Sequence, residues 1–471
     1  MTRTRRAEPT RAAAYHLLRA VADGAYANLE LPRLLRSARL EGRDAAFTTE
    51  LAFGTLRHRG FYDAVIAAAA ARGIDRIDAR ALDILRLGTH QLLGMRVPAH
   101  AALDQTVGLA RAVASGGAAG FVNAVLRRVS EADRDTWLER VRPATGSVAA
   151  LAIEHSHPEW IVTALRGALL GHGAASAADV DVQLAALLAA DNDPPRVSIV
   201  ARPGLASVTE LLGAPAATAN PISPIGVELT AGDPGRIPAM AQGRAAVQDA
   251  GSQLVALAVA AADVDAGMPE RWLDLCAGPG GKSGVLAAVA AQRSIPFVAN
   301  EVAPHRAELV RQSLRALPDA VVRTGDGRLV GEEEPAAYSR VLVDVPCTGL
   351  GALRRRPEAR WRRQPTDLAA LAPLQRDLLR SALAAVRPGG VVGYATCSPH
   401  LAETTFVVKD VLKGRTDVEV VDARELFRDA AGAVLPALGD GPHVQLWPHV
   451  HGTDGMFLDR KSTRLNSSHR L

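Results

Sequence analysis

Two cysteines carry most of the chemistry available to this sequence. Cys347 ends an apolar run in VLVDVPCTGLG (341–351), and Cys397 ends another in VVGYATCSPH (391–400). Each run reads as a β-strand, so both thiols, together with Asp344, belong at the same edge of one sheet. An isolated cysteine is most often a small buried hydrophobe. A pair at strand ends, beside prolines and an aspartate, points instead to reacting groups. A thiolate is a strong nucleophile and is partly populated near neutral pH. Carbon 5 of a cytosine needs one, because it can attack a sulfonium methyl group only after a thiolate has added to carbon 6. Asp344 is the candidate for protonating or hydrogen bonding ring nitrogen 3 during that addition, and a base must afterwards remove the carbon 5 proton. Spacing alone does not rank the two cysteines.

A second constellation could hold the methyl donor. WLDLCAGPGGKS (272–283) reads as a strand, a glycine-rich turn and the start of a helix running to about Ala291. Such a turn lets a ligand approach the main chain at the positive end of a helix. Glu301 should end the next strand, where a carboxylate can accept both hydroxyls of a ribose. Asp326 should end a third strand and Asp344 a fourth. Gly278 to Lys282 is too short for the GxxxxGK[ST] loop that wraps a triphosphate, so a nucleoside without phosphates fits better. Lys282 is the first lysine in a chain whose cations are otherwise almost all arginine.

These groups need a scaffold. At 471 residues the chain is long enough for about three domains. Residues 1–145 read as helices only, with Leu82, Leu85, Thr89 and Leu92 at helical spacing behind Asp78, a candidate N-cap. Residues 146–240 read as a connecting α+β segment, with extended pieces at Arg196–Val200 and Gly226–Thr230. From 241 to 460, strands at Trp272–Leu275, Phe297–Ala299, Val341–Val343 and Val391–Ala395 alternate with helices. That pattern implies a Rossmann-like α/β domain with a predominantly parallel sheet. The polar stretch 461–471 is unlike the text before it and is set aside as a non-native tail. No run approaches the roughly 18 apolar residues of a membrane span, and no secretory signal forms, so a cytoplasmic protein is expected. Three cysteines with no CxxC pair indicate neither a disulfide framework nor a metal site.

The segments GTLRHRGFYDAVI (54–66), ILRLGTHQLL (84–93) and GFVNAVLRRV (120–129) resemble the NusB-like RNA-binding domain that precedes some ribosomal RNA methyltransferases. With the two cysteine motifs and the 272–283 loop, the chain resembles, over nearly its whole length, the Sun/Fmu (RsmB-type) RNA cytosine-5 methyltransferases acting on 16S ribosomal RNA. The resemblance implies Cys397 as nucleophile and Cys347 as the group that assists product release. It also implies that Cys276, Ala277, Gly278, Pro279, Gly280, Gly281, Lys282, Glu301, Asp326 and Asp344 contact S-adenosylmethionine. DNA cytosine-5 methyltransferases use the earlier PC cysteine and lack the TCS one, which argues against that relation. A transfer RNA substrate, or an inactive NusB-like antitermination factor, are the alternatives. The partner expected is RNA, bound by a monomer. Its contacts are expected from Asn123, Arg127 and Arg128, although both arginines also suit a helix C-terminus. Further contacts are expected from ALRRRPEARWRR (352–363), whose arginines could clamp phosphates while Trp361 stacks on a base.

Overall fold

The computed structural model describes residues 7–114, 116–265 and 268–463. The chain divides into two compact units. One comprises Met1–Thr163 with Leu188–Asp193 and Leu353–Arg362; the other comprises Ala164–Leu187, Pro194–Ala352 and Arg363–Leu471. The segment expected to be a separate connector, 146–240, is thus shared between them.

The first unit is helical: α1 (Pro9–Ala22), α2 (Ala27–Ala38), α3 (Gly42–Arg57), α4 (Arg59–Ala70), α5 (Ala79–Leu93), α6 (Ala99–Val113), α7 (Gly116–Val129), α8 (Arg134–Val141) and α9 (Val148–Glu154). Asp78 caps α5 as its sequence suggests, accepting from the amides of Arg80 at 3.1 Å and Ala81 at 3.0 Å. The helix it starts is buried all round from Ala81 to Gln91, not along one stripe. Its charged residues are neutralised inside the unit: Arg86 grips Asp63 (2.6 Å) and Asp83 (2.9 Å), and Arg19 reaches Asp83 (2.9 Å). Phe61, Tyr62, Val65 and Ile66 of α4 share the same core with Val122, Val125 and Leu126 of α7.

The arginine-rich segment does something other than expected. Arg360 is fully buried in the helical unit. It donates to the carbonyls of Arg57 (3.0 Å), Ser156 (3.3 Å) and Asp191 (2.6 Å), and to Oδ1 of Asn192 (2.6 Å). Burial pulls its pKa down to about 10. Arg362 donates to the carbonyls of Val21 and Ala25, and Glu358 accepts from the amide of Ala27. Trp361 lies under the guanidinium of Arg59, 5.4 Å from the ring centre, and so close to Gly60 that a Cβ there would sit 2.7 Å from it. These side chains are spent on backbone carbonyls and packing, so Arg360, Arg362 and Trp361 hold a strap in place. Arg128 donates to the carbonyl of Ala69 (2.8 Å) in the last turn of α4 rather than to the end of its own helix, and both Arg127 and Arg128 are exposed.

The second unit holds two sheets. The smaller runs β2 (Ala217–Ala219), β3 (Gly226–Leu229), β1 (Val197–Ala201) and β4 (Ala245–Val247), all antiparallel. The larger contains β5 (Trp272–Asp274), β6 (Phe297–Glu301), β7 (Val321–Thr324), β8 (Tyr338–Asp344), β9 (Val386–Thr396), β10 (Val418–Val421), β11 (Val444–Gln445) and β12 (Phe457–Thr463). Its order is β10-β12-β9-β8-β5-β6-β7, with β11 also paired to β12. The five strands from β7 to β9 are parallel, and β10, β11 and β12 add antiparallel pairings. This is a Rossmann-like fold with a mixed sheet.

Alternate residues of its strands enter two cores. Trp272, Ala299, Leu342 and Ala395 pack with Leu254, Val255, Val285 and Leu286, while Leu273, Val298, Val341, Val392 and Tyr394 pack with Leu378, Leu379, Leu383 and Val407. The apolar helix Ala250–Ala261 is buried far more widely than a single face. The polar tail begins inside the fold: Lys461, Ser462 and Thr463 are strand residues, and Lys461 is buried against Asp459. Residues 464–471 lie outside the described residues. Among the described residues, no helix is long and apolar enough to cross a membrane, and no group of three His, Cys, Asp or Glu is placed to hold a metal ion.

Candidate active site

The sheet reverses its winding at β5, with β6 on one side and β8 on the other, and in open α/β sheets ligands bind outside the carboxyl ends at such a point. Every carboxylate singled out from sequence lies at or just beyond a strand end. Asp274 ends β5 and Ser283 donates to it at 2.6 Å; burial pushes the Asp274 carboxyl up to about 7, against the pull of that hydroxyl. The chain then turns through Cys276 to Gly280 into the helix Gly281–Gln292. Ala277 N donates to the carbonyl of Asn300 (2.9 Å), and Gly280 N to that of Ala277 (2.7 Å). Gly280 has φ +106°, where a side chain is strained, and a Cβ there would lie 2.6 Å from Cβ of Ser313. Burial raises the Cys276 thiol well above its usual range, which leaves it a poor candidate for a reacting group.

Glu301 ends β6 only 3% exposed. Its two oxygens accept from the amides of Gly278 (2.9 Å) and Ala303 (3.0 Å), and Arg306 stands 3.7 Å away. A Cβ at Gly278 would fall 2.2 Å from Oε2 of Glu301, so the close approach of loop to carboxylate needs glycine. Asp326 follows β7, but its carboxylate is taken by Arg328 at 2.6 Å, which also holds its pKa low. The pair lines a cleft of about 450 Å³ with Asp377, Arg380 and Ser381. Asp344 ends β8 and accepts from Lys282 Nζ at 2.7 Å. Burial works against the lysine's charge, yet Asp344 outweighs it and, with a smaller push from Cys397, keeps Lys282 an ammonium.

The two thiols meet. Cys347 and Cys397 are part-exposed, with their sulfurs 3.4 Å apart. Contact with Cys397, then burial, raises Cys347 well above the usual thiol range. Backbone bonds tie their loops: Gly351 N donates to the carbonyl of Cys397 (2.9 Å), and Gly455 N to that of Gly351 (2.7 Å). Asp249 accepts from the amides of Gly251 (2.9 Å) and Asp454 (3.0 Å), which ties the start of the helix Ala250–Ala261 to the loop ahead of β12.

Sequence reasoning missed several supporting residues. Asn300 Nδ2 bridges the carbonyls of Leu275 and Gly325, both at 3.1 Å, joining the ends of three strands. Glu403 accepts from Thr348 and Gln375 beneath the cysteines. The signal for Asn300 was its place beside Glu301. Glu403 carried none, because its partner Thr348 is distant in the chain.

Residues 264–460 match the family model described as 16S rRNA methyltransferase RsmB/F, and residues 8–131 match that of the NusB family. A Mycobacterium tuberculosis protein that carries no more than the name methyltransferase is 52% identical over 97% of this chain and 96% of its own. The ribosomal RNA small subunit methyltransferase B of Pseudomonas syringae pv. tomato is 34% identical over 95% of each. A solved methyltransferase homolog protein from Pyrococcus horikoshii shares the fold at TM-score 0.52 and 22% identity, over 68% of this chain and all of that one. With a NusB-like helical unit ahead of a Rossmann-like unit whose strand ends bring two cysteines together, this chain belongs to the RsmB/F family of RNA methyltransferases.

Proposed function

We propose that the protein methylates carbon 5 of a cytosine in 16S ribosomal RNA, with S-adenosylmethionine as donor and Cys397 as covalent nucleophile. The observation that carries this reading is the 3.4 Å sulfur pair next to the Lys282–Asp344 ion pair. The RNA class follows the family and the name of the Pseudomonas relative.

The donor set suits a cationic nucleoside. Glu301, Asp326 and Asp344 supply carboxylates, and the ammonium of Lys282 is already paired with Asp344. When bound, the cofactor supplies a methyl group on sulfonium. Residues Cys276 to Lys282 and Glu301 would hold it, with Glu301 exchanging the Gly278 amide for ribose hydroxyls.

Cys397, with the Lys282 ammonium nearby to favour its thiolate, forms a bond to carbon 6 of the flipped cytosine. Asp344 supports that addition by accepting from ring nitrogen 3 as that nitrogen takes a proton from solvent, while Lys282 stays paired with its Oδ2. After methylation, water takes the carbon 5 proton as the bond from sulfur to carbon 6 breaks, the electron pair of that bond leaves with Cys397 as thiolate, and the Cys347 thiol assists by hydrogen bonding the departing sulfur 3.4 Å away. Cys397→Ala should abolish methyl transfer to 16S ribosomal RNA. Cys347→Ala should accumulate a covalent protein–RNA adduct stable to denaturing electrophoresis. Full turnover by Cys397→Ala would refute the assignment, and transfer of label to transfer RNA instead of 16S ribosomal RNA would move the substrate.

A further inference from the structure

Below the two cysteines lies a carboxylate that the reaction as described does not use. Glu403 is 1% exposed and begins no chemistry of its own. One oxygen accepts from the amide of Thr348 (2.8 Å) and from Nε2 of Gln375 (3.2 Å); the other accepts from the Thr348 hydroxyl. Thr348 directly follows Cys347. Its hydroxyl oxygen also lies 3.2 Å from Oγ of Ser398, the residue directly after Cys397. Gln375 closes the arrangement, because its Nε2 donates to the carbonyl of Pro346 (2.9 Å), the residue directly before Cys347. The Tyr394 hydroxyl fixes the Glu403 main chain from β9, donating to its carbonyl at 2.7 Å.

One buried carboxylate thus grips Cys347 on both flanks and Cys397 on one. We infer that Glu403 is a positioning residue that sets the spacing of the two sulfurs, and through it the step in which Cys347 helps Cys397 leave the methylated base. The inference rests on the reading of Cys347 given above. A buried acceptor of this kind is costly unless every lone pair is used, and here each donor it satisfies belongs to a loop that carries a thiol, or to the glutamine that holds one.

Glutamine at 403 keeps the geometry. Its oxygen can accept from Thr348 N and Gln375, and its amide can donate to the Thr348 hydroxyl, whose proton then turns to Ser398. The test is single-turnover methylation of 16S ribosomal RNA, reading adduct formation and adduct decay separately, in wild type and in the Cys347→Ala background. Glu403→Ala should slow adduct decay by about tenfold to a hundredfold while Cys347 is present, as expected for a sulfur displaced by a fraction of its reach. Glu403→Gln should restore decay to near the wild-type rate. Thr348→Val, which removes only the bridging hydroxyl, should slow decay in the same direction and keeps the test open should Glu403→Ala not fold. In the Cys347→Ala background none of these changes should lengthen the adduct's life further. Unchanged decay in Glu403→Ala and Thr348→Val, or an equal slowing in both backgrounds, would overturn the inference. If Cys347→Ala itself left no adduct, the role of Cys347 would fall first, and the clamp with it.

Discussion

Between Pro346 and Arg362 the chain changes both character and composition, from PCTGLGA to LRRRPEARWR. Up to Ala352 it belongs to the Rossmann-like unit, and from Leu353 to Arg362 it belongs to the helical one. In the first half, the polar groups are left with capacity to spare: two sulfurs in contact and part-exposed, beside a lysine held by one carboxylate. In the second, Arg360 has carbonyl oxygens arranged around it and no exposure. The difference teaches how to tell a working charge from a structural one. A cation whose hydrogens end on backbone carbonyls has nothing left for a ligand, whereas one that meets a single part-exposed carboxylate can exchange it.

That contrast can be broken by mutation. The largest effect should come from Lys282→Met. It should cost about a hundredfold to a thousandfold in kcat/KM for RNA methylation, on the scale of removing one preorganised electrostatic group, while unfolding midpoints hardly move because Asp344 can turn to water. Steady-state kinetics beside urea unfolding would check both halves. Arg360→Met should do the reverse, destabilising the protein by about 3 kcal/mol through orphaned buried carbonyls, with the residual folded enzyme keeping its chemistry. Equal loss of activity per folded molecule in both variants would erase the distinction.

The smallest effect concerns Asp274. Its carboxyl is raised from 3.8 to about 7 by burial, so the folded state binds the proton more tightly than the unfolded one. Stability from this group is therefore full below about pH 4 and declines as pH rises through 7. Asp274→Asn should remove that slope, so the variant's melting temperature should fall less than wild type between pH 5 and pH 8. Parallel curves would show that Asp274 titrates elsewhere.

Much of this was legible in the residues. Apolar runs leading to Glu301, Asp344 and Cys397 placed these groups at strand ends, since a strand's direction and exit follow from local pattern. Asp78 as a cap was legible for the same reason. The fate of ALRRRPEARWRR was not, because an exposed arginine and one buried against carbonyls look alike until the carbonyls of Arg57, Ser156 and Asp191 converge on it. Nor could pattern extend β12 through Lys461, whose charge is tolerated only because Asp459 is buried with it.

By itself, then, the sequence determined which groups could react and which secondary elements would carry them, since both depend on residue type and short-range periodicity. Only tertiary structure decided that the two sulfurs meet, which arginines are spent on the fold, and that Glu403 lies under both cysteine loops. Those facts depend on contacts between residues far apart in the chain, where desolvation and hydrogen-bond partners are set by neighbours that no local pattern names.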